Sequence, residues 1–218
     1  MILKKNKGVE WLNIFIIRHG EAEHNVDRTV MAHTHDSKHS LTELGQIQVQ
    51  KTAEFMKTIV NNETILYSSP YLRTIQTAKA IHSLLPENVP FYENPLLREW
   101  ELGNLYDFNH RPPELKKEFK ASGLYYFRHP NGESLADVYL RASMFMYTVV
   151  ERVKQQQRYD NLVIVTHAAF MHMLLSFLMN WPVEDVTNFK PVENASVIKI
   201  NEEDGDYQYD KIFVPIVK

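Results

Sequence analysis

Two short apolar runs end on reactive side chains, and this constrains the fold of the 218-residue chain more than any other feature. Leu12-Asn13-Ile14-Phe15-Ile16-Ile17 reads as a buried strand that empties into Arg18-His19-Gly20-Glu21. Asn161-Leu162-Val163-Ile164-Val165-Thr166 reads the same way and ends at His167. Open α/β sheets gather their chemistry beyond the carboxyl ends of the strands. Two histidines at two strand ends therefore predict one site at one edge of such a sheet.

Between these runs, strand and helix patterns alternate. Thr42 is placed to cap a helix with Val49, Ala53, Met56 and Val60 along one face. Thr64 to Tyr67 reads as a short strand, and Ser69-Pro70 as an N-cap followed by proline at the first helical position. The helix after it is expected to bury Tyr71, Ile75, Ala78 and Leu85, with a short extended piece near Phe91 beyond it. Glu133 is expected to open a long helix carrying Leu135, Val138, Ala142, Phe145, Val149 and Val153, and a mostly apolar helix spans Phe170 to Met179. Ser196 to Ile200 and Tyr207 to Val214 resemble two edge strands joined around Asp204-Gly205. The pattern breaks up between Tyr106 and Pro130, with Pro112-Pro113, Phe119, Tyr125, Tyr126 and Phe127, which reads as a partly helical cap. The expected class is α/β: a three-layer sandwich with a largely parallel central sheet, helices on both faces and a small inserted cap. One domain, 1–218, carries the cap at 106–130.

Composition closes off several chemistries. The absence of Cys excludes disulfides, thiol nucleophiles and cysteine-ligated metals. A net charge of -3 with no long run of one sign argues against nucleic acid as a partner. No segment approaches the roughly 18 to 20 apolar residues of a membrane span, and the Lys-rich Met1 to Gly8 is followed by no signal-length apolar stretch. The default expectation is a cytoplasmic protein, so Asn194-Ala195-Ser196 is not read as a glycosylation site.

Four reactive groups converge when the strand ends are put side by side: His19, Arg73 in the first turn of its helix, Glu99 in the next connection, and His167. A helix N-terminus offers free N–H groups and positive potential to an anion, and Arg18 and Arg73 can grip oxygens with paired, charge-assisted bonds. Two arginines and two imidazoles around one point ask for a phosphoryl group. A neutral imidazole, kept unprotonated by neighbouring cations, is a competent nucleophile at phosphorus. Glu99 would protonate the leaving oxygen, with His167 stabilising charge on the transferring group. The scheme calls for no metal and no cofactor.

Arg18-His19-Gly20-Glu21 with Asn25, Ser68-Ser69-Pro70-Tyr71-Leu72-Arg73-Thr74-Ile75-Gln76-Thr77-Ala78, Leu97-Arg98-Glu99, Pro130-Asn131-Gly132-Glu133-Ser134-Leu135 and Val165-Thr166-His167 resemble, in order, the motifs of the histidine phosphatase superfamily. That family also contains the cofactor-dependent phosphoglycerate mutases. The resemblance spans residues 12 to about 200. It implies His19 as the phosphorylated residue, Glu99 as general acid and then base, and Arg18, Asn25, Arg73 and His167 as phosphate ligands; Asn25 enters by the match alone. Ala168 departs from the family, many members of which carry Gly after the second histidine.

Glu101 is the competing carboxylate, two residues beyond Glu99. His33, His35 and His39 suggest metal ligands by spacing but lack carboxylate or Cys partners, and His172 reads as a hydrogen-bonded core residue. Tyr125, Tyr126 and Phe127 suit either a pocket wall or the interior of the cap. The short interval before Gly132-Glu133-Ser134-Leu135, with only scattered basic residues such as Arg111 and Arg128, is closer to the family's broad-range acid phosphatases than to its mutases. The expectation is a phosphomonoesterase acting on a small-molecule phosphomonoester; a mutase and a non-catalytic phospho-ligand binder are the alternatives. Substrate identity and oligomeric state stay open.

Overall fold

Side chains alternate across a strand, so a strand apolar at consecutive positions has to be covered on both faces. The computed structural model, which describes residues 12–103, 106–107, 112–188, 190–203 and 206–217, shows that covering. In β1 (Asn13–Arg18), Ile14 and Ile16 join one core and Phe15 and Ile17 the other. The chain continues through α1 (Glu23–Val26), α2 (Glu43–Ile59), β2 (Thr64–Ser68), α3 (Leu72–His82), β3 (Phe91–Glu93), α4 (Pro113–Tyr126) and α5 (Leu135–Phe145). It then runs through α6 (Glu151–Gln156), β4 (Asn161–Thr166), α7 (Ala168–Leu178), α8 (Val183–Val186), β5 (Val197–Glu203) and β6 (Asp206–Phe213). Short 3-10 turns at Arg28–Ala32, Asp36–Lys38 and Pro95–Leu97 punctuate the loops, and a π-helical turn at Met146–Val150 joins α5 to α6.

The six strands lie in the order β3-β2-β4-β1-β5-β6. The first four by sequence are mutually parallel, while β5 runs antiparallel to β1 and pairs with β6 as a hairpin. Helices α5 and α7 fill one face against Ile65, Leu162, Ile164 and Ile198, and α2 and α3 fill the other against Leu66, Val163 and Val165. The α/β sandwich expected from the alternation is the architecture observed. Because β1 and β4 are neighbours with Arg18 opposite Thr166, His19 and His167 leave the sheet side by side.

Three local expectations are corrected. α3 starts at Leu72 with Tyr71 as its N-cap, so Ser69 does not cap it; the Ser69 hydroxyl is drawn instead to His167. Glu133 does not open a helix: Ser134 is the N-cap of α5, in a capping box with Asp137, and Glu133 turns inward to arginines. β5 is not an edge strand, since it lies between β1 and β6 with Val197, Ile198 and Ile200 buried. The turn expected at Asp204-Gly205, the basic Met1 to Gly8 segment and Arg111 lie outside the described residues.

Thr42 caps α2 as expected, accepting from the Gly45 amide at 3.0 Å. α2 docks against the turn after β1 through two glycines: a Cβ on Gly20 would come within 2.6 Å of the Gly45 carbonyl oxygen, and one on Gly45 within 2.0 Å of that of Glu21. α4 lies against α5, with Leu124 and Tyr125 packed on the first core. Phe127 is 2% exposed and stacks edge-on with Phe119 and His129. Among the described residues no helix is long and apolar enough to cross a membrane.

Candidate active site

His19 is 1% exposed at the carboxyl end of β1. Its Nδ1 lies 2.7 Å from the Gly20 carbonyl oxygen, which can only accept, so Nδ1 carries the proton and Nε2 keeps its lone pair. Asn194 Nδ2 and the Ala195 amide both donate to the His19 carbonyl, at 3.1 Å each, and pin the backbone from the β5 side. Burial, then the charges of Arg73 and Arg18, push the His19 pKa well below the usual imidazole value. The ring is therefore neutral across the physiological range.

Arg73, fully buried in the first turn of α3, donates from Nε to His19 Nε2 at 3.3 Å. Its outer nitrogens are held by Asp36: Nη1 to the backbone oxygen at 2.5 Å and Nη2 to the carboxylate at 2.9 Å. His167, fully buried as the N-cap of α7, lies 5.2 Å from His19 ring to ring. Its Nε2 is 2.8 Å from the Ser69 hydroxyl, and its Nδ1 is buried with no protein partner. Ser69 Oγ also accepts from the Tyr71 amide at 3.4 Å, and because a hydroxyl can donate and accept at once, its contact with Nε2 suits either tautomer of His167. Burial and the Arg73 charge keep this ring neutral too.

Arg18 donates from Nη1 to the Val192 carbonyl at 2.5 Å, and its Nε is buried without a partner. Asn25 is exposed; its Oδ1 accepts from the Ala22 amide at 3.0 Å and from Asn194 Nδ2 at 3.2 Å, and its Nδ2 lies 3.1 Å from His24 Nε2. Glu99 uses Oε1 twice, accepting from the Trp100 amide at 2.9 Å and the Ala169 amide at 3.2 Å. Among the described residues, no hydrogen bond reaches Oε2. Burial raises the Glu99 pKa, against the opposing pull of the Trp100 amide and Arg73. Arg18, Asn25 and Glu99 line a cavity of about 470 Å³ whose walls also include Met31, Trp100, Leu102 and Asn194. His24 and Asp36 also line it, whereas His19, Arg73 and His167 are buried and do not.

Of the six residues singled out from the sequence, Arg18, Asn25 and Glu99 line the cavity, while His19, Arg73 and His167 form a buried group in mutual contact. Glu101 does not line the cavity; its carboxylate takes the Tyr71 hydroxyl and lies 3.7 Å from Arg98 Nε. Tyr125, Tyr126 and Phe127 do not line the cavity either: Tyr125 packs on the first core, Tyr126 is exposed, and Phe127 is buried against Phe119 and His129. Ala168 is the first residue of α7 with no left-handed backbone, so its methyl is accommodated without strain. His35 caps the Asp36–Lys38 turn, His39 stacks on His24, and His172 lies 2.7 Å from the Val186 carbonyl. Among the described residues no three His, Asp or Glu side chains gather to hold a metal ion.

Sequence reasoning missed His24, Asp36, Ser69 and Tyr71. His24 lies 5.7 Å from His19 ring to ring, and burial with Arg73 lowers its pKa to about 3. Asp36 is a loop acid with no pattern around it, and Ser69 was masked by a plausible helix cap. Tyr71 was legible only as a core residue.

The sequence matches the family model of the histidine phosphatase superfamily (branch 1) over residues 14–214. It is 29% identical over 213 residues to the phosphoglycerate mutase-like protein AT74 of Arabidopsis thaliana, covering 89% of this chain and 66% of that one. It is 23% identical over 291 residues to the broad-range acid phosphatase DET1 of Saccharomyces cerevisiae, covering 90% and 87%. The fold superposes on the alpha-ribazole phosphatase of Shigella flexneri with a TM-score of 0.74 at 21% identity, covering 94% of this chain and 96% of that one.

Proposed function

Since the chain belongs to the histidine phosphatase superfamily, we propose that it is a metal-independent phosphomonoesterase for small phosphorylated metabolites, working through a phosphohistidine on His19 with Glu99 as proton donor. The observation that carries this reading is the orientation of His19: Nδ1 bound to the Gly20 carbonyl, Nε2 bare except for the 3.3 Å contact from Arg73. Nε2 attacks phosphorus in line, the phosphorus–ester oxygen bond breaks, and the leaving alkoxide takes the proton of Glu99 Oε2. Arg18, Arg73 and His167 hold the non-bridging oxygens, and Asn25 closes the ring of ligands. In the second half, the Glu99 carboxylate accepts a proton from water as its oxygen attacks the phosphohistidine. The P–N bond breaks, and orthophosphate and neutral His19 are released.

Burial raises the Glu99 pKa, which favours the acid form that the first step uses. A bound phosphate dianion raises its pKa further. The cavity wall of Met31, Trp100 and Leu102 suits an organic leaving group.

The test is hydrolysis of 4-nitrophenyl phosphate with excess chelator, wild type beside His19→Ala, combined with quenching to trap an alkali-stable phosphoenzyme. Chelator-resistant turnover that disappears with the phosphoenzyme in His19→Ala is the expected result. Near-normal turnover in the variant removes the nucleophile assignment. Phosphoenzyme that forms but turns over only with an added acceptor alcohol replaces the phosphatase with a mutase-type transfer.

A further inference from the structure

The Asn131-Gly132-Glu133-Ser134 segment plays no part in the chemistry above, yet its Glu133 sits in a buried ionic cluster with Arg98 and Arg141. Glu133 is 8% exposed and Arg141 7%. Glu133 Oε1 accepts from Arg141 Nε at 2.7 Å and Arg98 Nη2 at 2.8 Å, and Oε2 accepts from Arg141 Nη2 at 2.8 Å and the Glu101 amide at 3.2 Å. With its charge satisfied, Arg141 spends its remaining N–H groups on backbone. Nη1 donates to the Leu96 carbonyl at 2.5 Å and the Arg98 carbonyl at 3.1 Å, and Nη2 to the Glu99 carbonyl at 3.3 Å. Backbone bonds close the other side: the Glu133 amide donates to the Glu101 carbonyl at 2.8 Å, and Trp100 Nε1 to the Glu133 carbonyl at 2.8 Å. A Cβ on Gly132 would fall 2.3 Å from the Glu101 carbonyl oxygen, so the two segments touch with no side chain between them.

Residues 96–101 are irregular backbone beyond a single 3-10 turn, and no ladder fixes their course. We propose that Glu133 and Arg141 are the positioning residues of Glu99: by holding the carbonyls of 96, 98 and 99 and both backbone groups of Glu101, they fix the carboxyl against the amino end of α7 with Oε2 toward the cavity. Neither touches the reacting atoms. Only a guanidinium suits this job, because its planar fork bonds a carboxylate and several carbonyls at once, which an ammonium cannot do.

The proposal rests on Glu99 being the proton donor, and the experiment separates the two. Proton donation matters for a poor alkoxide leaving group and little for nitrophenolate, so the readout is the ratio of kcat/KM on an alkyl phosphate to kcat/KM on 4-nitrophenyl phosphate. This ratio is blind to the fraction of enzyme correctly folded, and kcat/KM reports the steps up to phosphohistidine formation. Glu99→Gln sets the scale, with the alkyl substrate losing about 100-fold more than the aryl one. Arg141→Lys is expected to lower the ratio in the same direction by about tenfold, with the inhibition constant of orthophosphate unchanged. Glu133→Gln, which keeps shape and one acceptor oxygen, falls between Arg141→Lys and wild type and tests the pair should Arg141→Lys be poorly soluble. A wild-type ratio in both variants, beside a lowered one in Glu99→Gln, overturns the positioning role. A wild-type ratio in Glu99→Gln overturns the donor assignment and this proposal with it.

Discussion

Asp36 holds the guanidinium that the phosphoryl group needs. Its carboxylate is 2.9 Å from Arg73 Nη2, and burial, which alone would raise its pKa, is outweighed by the Arg73 charge and hydrogen bond, so the group is ionised. Its second oxygen, Oδ1, is buried without a partner. An incoming phosphate therefore competes with a carboxylate already in the fork, and the competition is between anions of the same kind. Asp36→Asn keeps the shape and the backbone bond to Nη1 while removing the charge. Orthophosphate is expected to inhibit the variant about tenfold more tightly than wild type, at the low end of what a single charge-assisted bond is worth (about 1.5 kcal/mol). Unchanged or weaker inhibition would mean that Asp36 orients Arg73 and does not compete for it. None of this was legible in the sequence, where Asp36 is one polar residue in a polar loop. The six site residues were legible because strand ends and motif order located them; Asp36, His24 and Ser69 act through contacts between segments far apart in the chain.

At the scale of elements, patterns that depend on one segment read correctly and those that depend on a partner did not. The apolar runs of β1 and β4 announce burial on both faces, and Thr42 announces the start of α2 by a cap that needs only Gly45. Ser69 carries the same kind of signal, but His167 is a better partner for its hydroxyl than the end of α3, and the helix begins two residues after Pro70. Glu133 precedes a helix and so resembles a first-turn acid, until Arg98 and Arg141 claim it. The aromatics Tyr125, Tyr126 and Phe127 left two uses open because composition carries no direction. Phe127 is the buried one, against Phe119 and His129, while Tyr126 is 63% exposed. Phe127→Ala is accordingly expected to cost about 3 kcal/mol or more in denaturant unfolding, with the kcat/KM of the remaining folded enzyme on 4-nitrophenyl phosphate close to wild type. A large loss in kcat/KM at full folding would instead place this segment against the substrate.

For the molecule as a whole, the site sets activity and stability against each other along the pH axis. Glu99 is raised, and the proposed first step uses its acid form, so kcat/KM falls as pH rises through its pKa. His19, His24 and His167 are lowered, so the native state keeps them neutral where the unfolded chain, titrating near 6.5, takes up protons. Below about pH 6.5 the unfolded state then binds more protons than the native one, and stability falls with pH until the folded values are reached, about 3 for His24. Lowered Asp36 adds to the loss at the acid end, because its stabilisation is present above its unfolded pKa and disappears as it protonates. Raised Glu99 works the other way, since its contribution is full below its unfolded pKa and lost as pH rises through the folded one, but it is one group against three imidazoles. For each of His19 and His167, both almost fully buried, the slope reaches up to about 1.4 kcal/mol per pH unit. The expected profile is an optimum on the acid side of neutrality, with an alkaline limb set by Glu99 and an acid limb set by unfolding rather than by protonation of the nucleophile. Measuring kcat/KM and the thermal midpoint on the same buffers separates the two limbs. Glu99→Asp should displace the alkaline limb and leave the acid one, whereas an acid limb that appears while the midpoint is still flat would show that a histidine titrates inside the intact fold.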